Sequence, residues 1–199
     1  MIFSLAILAV VLAYTWVIDP IAPGWVTPIP VALVLGLAIW HAVRSGDWGV
    51  RPAAFLPALW PSAAFTATAA LAIYMAGSRL GTWHDRRDAW MSLVLLIPWG
   101  VGQQFALHTV FLREAQATAG RSAGIVLAAA LFAALHLPNP FLSAVTFAGA
   151  LAWCWVYDRH PNLLPLALSH ALLTLAILCA FDEGMTGHLR VGAAYLSLR

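Results

Sequence analysis

Seven apolar runs, at roughly 2–18, 28–43, 57–76, 89–112, 122–137, 141–157 and 162–181, occupy most of the 199 residues. A helix needs about 20 apolar residues to cross a bilayer, and each run approaches that length. The expected fold is therefore all-α: a polytopic transmembrane helical bundle of about seven spans, with residues 1–199 forming a single membrane domain. The fifth and sixth runs are short and are separated only by "HLPNP". They are compatible with a tight re-entrant pair.

Composition closes off the alternatives. Apolar residues make up 62% of the chain and charged residues 9%, against about 25% charged in a soluble domain. A water-facing surface cannot be built from this inventory. The formal charge of +2 comes from arginines alone and is too small and dispersed to point to nucleic acid. The arginines divide evenly between the two expected sides, so they fix no orientation. Cys154 and Cys179 fall within apolar runs, with no disulfide framework or metal-binding pair. Residues 1–18 lack a basic n-region and an A-x-A cleavage site, and read as a retained first span. Trp16, Trp25, Trp40, Trp48, Trp60, Trp83, Trp90, Trp153 and Trp155 lie near expected span ends, as interfacial aromatics should. Trp99 alone is deep.

Against this background a few polar side chains stand out: Gln103, Gln104 and His108 in the fourth run, His136 closing the fifth and His170 within the seventh. Polar groups at depth are costly, face the bundle interior and mark functional sites. Gln104 and His108 are four apart, share a helix face and can pair along it. Gln103 lies about 100° round the helix and must find water, backbone or another helix. Such residues can simply bond between helices, at about 0.6–2 kcal/mol each. Convergence from three separate helices is what a buried active site requires. His41, His84, His160 and His188 fall in loops, at a span end or in the tail, and read as solvated.

The three polar sites, in order, carry a resemblance. "QQFALH" at 103–108, "FAALH" at 132–136 and "SHALLT" at 169–174 resemble the three motifs of the CAAX-protease and bacteriocin-processing (CPBP, or Abi) membrane family. Those motifs are two glutamates with an arginine four residues after the second, then F-x-x-x-H, then a histidine with Asn or Asp four residues on. The resemblance covers about residues 89–181. It implies an intramembrane endopeptidase in which the first glutamate activates water and the histidines polarise the carbonyl or stabilise the oxyanion. Carried across, Gln103 stands at the base position and Gln104 at the second glutamate. His108 replaces the arginine, Phe132 and His136 match the second motif, His170 matches the third, and Thr174 replaces the final Asn or Asp.

Both acids and the arginine are thus replaced together, giving an amide–imidazole pair at the same spacing. That avoids the cost, about 3–5 kcal/mol, of stranding one member of a buried ion pair. It also removes the general base, which usually contributes a factor of about 10²–10⁴. Glu114, ten residues past Gln104 and about 15 Å along a helix axis, belongs to a loop boundary. Asp158, Asp182 and Glu183 also lie at span ends, so none is a convincing substitute. Two functions remain in view: an endopeptidase with an altered site, or a pseudoprotease that holds a membrane peptide, lipid or partner helix without cutting it. A carrier is weaker, since no inverted repeat is visible. A zinc ion on His108, His136 and His170, with water in the open position, is one route to an activated nucleophile. The expected partners are membrane lipid and a membrane-associated peptide or protein, with no nucleic acid. The expected location is the prokaryotic inner membrane.

Overall fold

The computed structural model describes residues 1–22 and 24–198, and among these it contains helices and no extended strand. Seven apolar helical segments occupy the positions of the seven runs. They are α1 (Ile2–Ala13, prolonged by a π-helical turn Tyr14–Ile18), α2 (Pro28–Ser45), α3 (Phe55–Leu80), α4 (Ala89–Phe105), α6 (Arg121–Ala134), α7 (Pro140–Arg159) and α8 (Leu164–Ala180). Between α4 and α6 the chain continues through a π-helical stretch, Ala106–Leu112, into α5 (Arg113–Ala119). The tail adds short helices α9 (Glu183–Thr186) and α10 (Gly192–Leu196). Among the described residues, four helical stretches are long and apolar enough to cross a membrane: Gly24–Ser45, Pro52–Leu80, Ala89–Ala119 and Pro140–Arg159. The stretches Ile2–Ile18, Arg121–Ala134 and Leu164–Ala180 are apolar but shorter.

Local chemistry sets the helix ends. Gly46 and Gly81 stop α2 and α3 in the left-handed conformation, at φ of 71° and 70°, where glycine carries no Cβ penalty. In "HLPNP", Asn139 starts α7. Its Oδ1 accepts from the Leu142 N–H at 3.0 Å, and Pro140 occupies the first turn, where a missing N–H costs nothing. The Asn139 Nδ2 also donates to the carbonyls of Thr186 (2.8 Å) and Arg190 (3.0 Å). One buried amide therefore both opens α7 and fastens the tail beneath the α6–α7 turn.

Two polar ends result. One gathers the start of α1, the loop after α2, α5 and the α7–α8 turn: Glu114 accepts from Ser4, Arg113 pairs with Asp47, and Leu163 donates to Gly49. The other gathers the α3–α4 loop and the tail, with His84 N donating to Cys179 O and Gly192 N to Leu137 O. Between them the core is built from Leu107, Phe111 and Leu112 of the π stretch, Tyr157 of α7 and Leu166 of α8, all 0% exposed. The outer surface is hydrocarbon, with Leu33, Leu56, Leu71, Val94 and Leu95 all exposed, as a lipid-facing belt requires. Trp16, Trp25, Trp40, Trp48, Trp60, Trp83, Trp90 and Trp155 are exposed as expected of interfacial aromatics, and Trp99 too opens outward. Trp153 departs from the expectation: it is 4% exposed and packed in the core.

Candidate functional site

Close approach of α4 and α8 creates the site. Gly100 lies one helical turn before Gln104, and a Cβ there would come within 2.9 Å of the Ala167 carbonyl oxygen. Small residues let membrane helices touch backbone to backbone. With the backbones this near, the Gln104 side chain reaches His170 directly. Its Nε2 donates to His170 Nδ1 at 3.1 Å. Both residues are buried.

Two of the three histidines are fixed alike and the third in reverse. His136 Nδ1 lies 2.9 Å from the Phe132 carbonyl oxygen. A carbonyl only accepts, so that nitrogen carries the proton and Nε2 keeps its lone pair. His108 Nδ1 likewise donates to the Gln104 carbonyl at 2.9 Å, and its ring stacks on Tyr157 with centroids 4.4 Å apart. His170 is the reverse case. Its Nδ1 accepts from Gln104, so in the neutral ring Nε2 bears the hydrogen. Its ring lies parallel to Trp153, 4.8 Å away at 10°. Trp153 in turn donates to Ser169 Oγ at 3.0 Å, and that oxygen lies 2.7 Å from Thr66 Oγ1 on α3. Phe132 touches both remaining imidazoles edge-on, His136 at 5.2 Å and His170 at 6.4 Å. The motif phenylalanine thus spaces the two motif histidines.

Chemically, this leaves a bare imidazole lone pair on His136 and an N–H on His170, either side of one phenyl ring. Among the described residues no carboxylate bonds to either. Among the described residues, Gln104 Oε1 is buried with no hydrogen-bond partner.

Several sequence expectations are redrawn by the geometry. Gln104 and His108 do not pair side chain to side chain. The His108 ring bonds to the Gln104 backbone carbonyl instead, and the Gln104 amide turns to His170. The residue that touches His170 is Gln104. Gln103 is half-buried and makes no side-chain hydrogen bond. The Thr174 hydroxyl donates to the His170 carbonyl at 2.9 Å, along its own helix, and does not reach the imidazole. The three-histidine zinc site is not assembled. Among the described residues no group of three His, Cys, Asp or Glu is placed to hold a metal, because His108 turns its Nδ1 to its own helix and its face to Tyr157.

Two parts of the site escaped sequence reasoning. Trp153 looked interfacial because it sits near the end of an apolar run; the nearby Ser169, in "SHALLT", was the available signal. Asp47 gave none. Its Oδ2 takes Arg113 Nε at 2.7 Å and Nη2 at 2.6 Å, while Oδ1 accepts from Gly49 N at 3.0 Å and Tyr157 Oη at 3.3 Å. Burial pushes its carboxyl upward, but the Gly49 N–H and the Arg113 guanidinium outweigh that and hold it below the usual carboxylate range. Through Tyr157 this ion pair backs the His108 ring. Glu114 and Asp158 are engaged elsewhere, with Ser4 and with Gln116 and Arg121.

Comparison with known proteins agrees with the geometry. A family model described as "Rce1-like: Type II CAAX prenyl endopeptidase Rce1-like" matches residues 85–176, which contain Gln104, Phe132, His136 and His170. No curated protein and no solved structure matches the chain. Residues 85–176 of this membrane-type helical bundle thus match an Rce1-like model, a similarity consistent with the CPBP family.

Proposed function

We propose that the protein is a CPBP-type intramembrane endopeptidase-like protein whose hydrolytic capacity is altered by the loss of both motif glutamates. In this reading it receives a membrane-associated peptide or protein near the bilayer surface, in the inner membrane of a prokaryote. The observation that carries the reading is the Gln104–His170 hydrogen bond, which holds a motif-one residue against the motif-three histidine inside the matched segment. An amide takes no proton near neutral pH, so the water-activating role passes to the His136 Nε2 lone pair. That nitrogen would accept a proton from water as the oxygen attacks the peptide carbonyl, while His170 Nε2–H donates to the developing oxyanion. The proton then leaves with the amine.

A second reading, a pseudoprotease that holds its peptide uncut, is favoured by one specific observation: no carboxylate among the described residues bonds to either histidine. One experiment covers both. A photocrosslinking residue at position 103, whose side chain has no internal bond, is introduced into protein in nanodiscs and exposed to a membrane-peptide library. Crosslinked peptide with cleavage products supports the first reading, and crosslinked peptide without products supports the second. No crosslink to any peptide sinks both.

A further inference from the structure

The polar end that holds Glu114 and Asp47 carries two adjoining cavities, of about 390 and 370 Å³, which share His41, Ser45 and Glu114. Arg51 lines the first and Arg44 the second. We infer that this cleft, between the end of α2 and α5, binds the phosphate headgroup of an anionic phospholipid through Arg44 and Arg51.

Charge accounting at this end supports an anion. Its three carboxylates are all engaged: Asp47 by Arg113, Asp158 by Arg121 at 2.7 Å, and Glu114 by the Ser4 N–H and hydroxyl, both at 2.7 Å. Arg159 lies over the Trp155 ring at 3.9 Å. Among the described residues, the Arg44 and Arg51 guanidinium groups have no hydrogen-bond or ion-pair partner. Five arginines thus face three acids here, whereas Arg79, Arg86, Arg87 and Arg190 at the opposite end face Asp19, Asp85, Asp88, Asp182 and Glu183. Among the described residues, only this end has a cationic surplus.

Two further observations point to a lipid headgroup. Trp40 and Trp48, exposed at 56% and 52%, flank the cleft along the chain and set it at the headgroup level of the bilayer. His41, common to both cavities, has a buried Nδ1 without a partner. Basic pockets between membrane helices recognise phosphate headgroups by charge and hydrogen bonding together.

The test uses purified full-length protein in a neutral detergent, with thermal stability and native mass spectrometry as readouts. Phosphatidylglycerol should bind and raise the melting temperature above the effect of phosphatidylcholine. Arg44→Gln with Arg51→Gln should weaken phosphatidylglycerol binding roughly 30-fold, from about 1 kcal/mol per arginine at the surface. Arg79→Gln, at the opposite end, should leave it unchanged. If the glutamine pair folds poorly, Arg44→Lys with Arg51→Lys keeps the charge and should retain most of the binding. Equal binding of the two lipids, or full binding by a well-folded glutamine pair, overturns the inference. So does a matching shift from glycerol phosphate alone, which would make the site one for a soluble phosphate ester.

Discussion

Gln104 Nε2 donates to His170 Nδ1 across the α4–α8 contact at 3.1 Å. A neutral amide therefore sets the tautomer of the histidine that matches the third motif, and puts its hydrogen on Nε2. Gln104→Leu should remove that control and leave a buried ring nitrogen unsatisfied, at a cost of about 1–3 kcal/mol. Thermal unfolding in detergent reads the stability loss. Nitrogen-15 spectra of the imidazoles read the tautomer, with His170 expected to lose its uniform Nε2–H form. Unchanged spectra and stability would mean that the bond does not hold the ring.

The same contact predicts a contrast between two glycines. A Cβ at Gly100 would meet the Ala167 carbonyl oxygen at 2.9 Å, whereas one at Gly102 would meet only Leu35 Cδ2, at 3.8 Å. Gly100→Ala must push α4 from α8 and should cost about 1–3 kcal/mol. Gly102→Ala should be tolerated. Equal melting temperatures for the two variants would contradict the close approach of these helices.

Asp47 ties stability to pH. Its folded-state carboxyl lies below the ordinary range because the Gly49 N–H and Arg113 outweigh burial. A depressed folded value gives stability that is complete above the unfolded pKa, about 3.9, and is lost as pH falls through the folded value. Asp47→Asn should therefore destabilise the protein at neutral pH by about 1–3 kcal/mol, and should flatten the acid side of the stability profile. An unchanged acid limb would place the sensitivity in another carboxylate.

How much of this was legible in the sequence depends on the range of each interaction. The seven apolar runs mark helices because hydrophobic length is a local property, and "HLPNP" separates two of them, although the capping role of Asn139 became visible only in the structure. Phe132 and His170 lie on regular helices, and His136 in the turn just past the end of α6. The side-chain pair expected of Gln104 and His108 does not form because the imidazole takes the Gln104 backbone carbonyl while the amide takes His170 across the bundle, a contact that local spacing does not announce. The Asp47–Arg113–Tyr157 cluster joins a loop, α5 and α7 across 110 residues. Such a contact exists only once the bundle has closed. Trp153 misled for the opposite reason, since nearness to a run's end sets membrane depth and not which way a ring faces.

The tail should behave as a fastened element. Asn139 joins the α7 start to Thr186 and Arg190 through hydrogen bonds of 3.0 Å or less. Asn139→Ala should cost about 1–3 kcal/mol through the lost cap and unsatisfied carbonyls. Amide exchange over residues 182–192 should rise while α3 stays protected. Exchange that rises everywhere alike would show Asn139 to be a global core residue and not a local fastener.

The central claim is that a CPBP-type site persists here with amides where carboxylates belong, and cleavage rate tests it most directly. The unmodified protein and the variant Gln103→Glu with Gln104→Glu and His108→Arg are compared in proteoliposomes against one membrane-peptide library. Two carboxylates are needed because Gln104 holds His170 while Gln103 stands at the motif's base position, and the arginine supplies the countercharge. The account predicts a folded variant that cleaves about 10²-fold or more faster than the unmodified protein, the usual value of a general base. It is contradicted if the folded variant gains nothing, or if the unmodified protein cleaves at a rate that Gln104→Ala leaves unchanged.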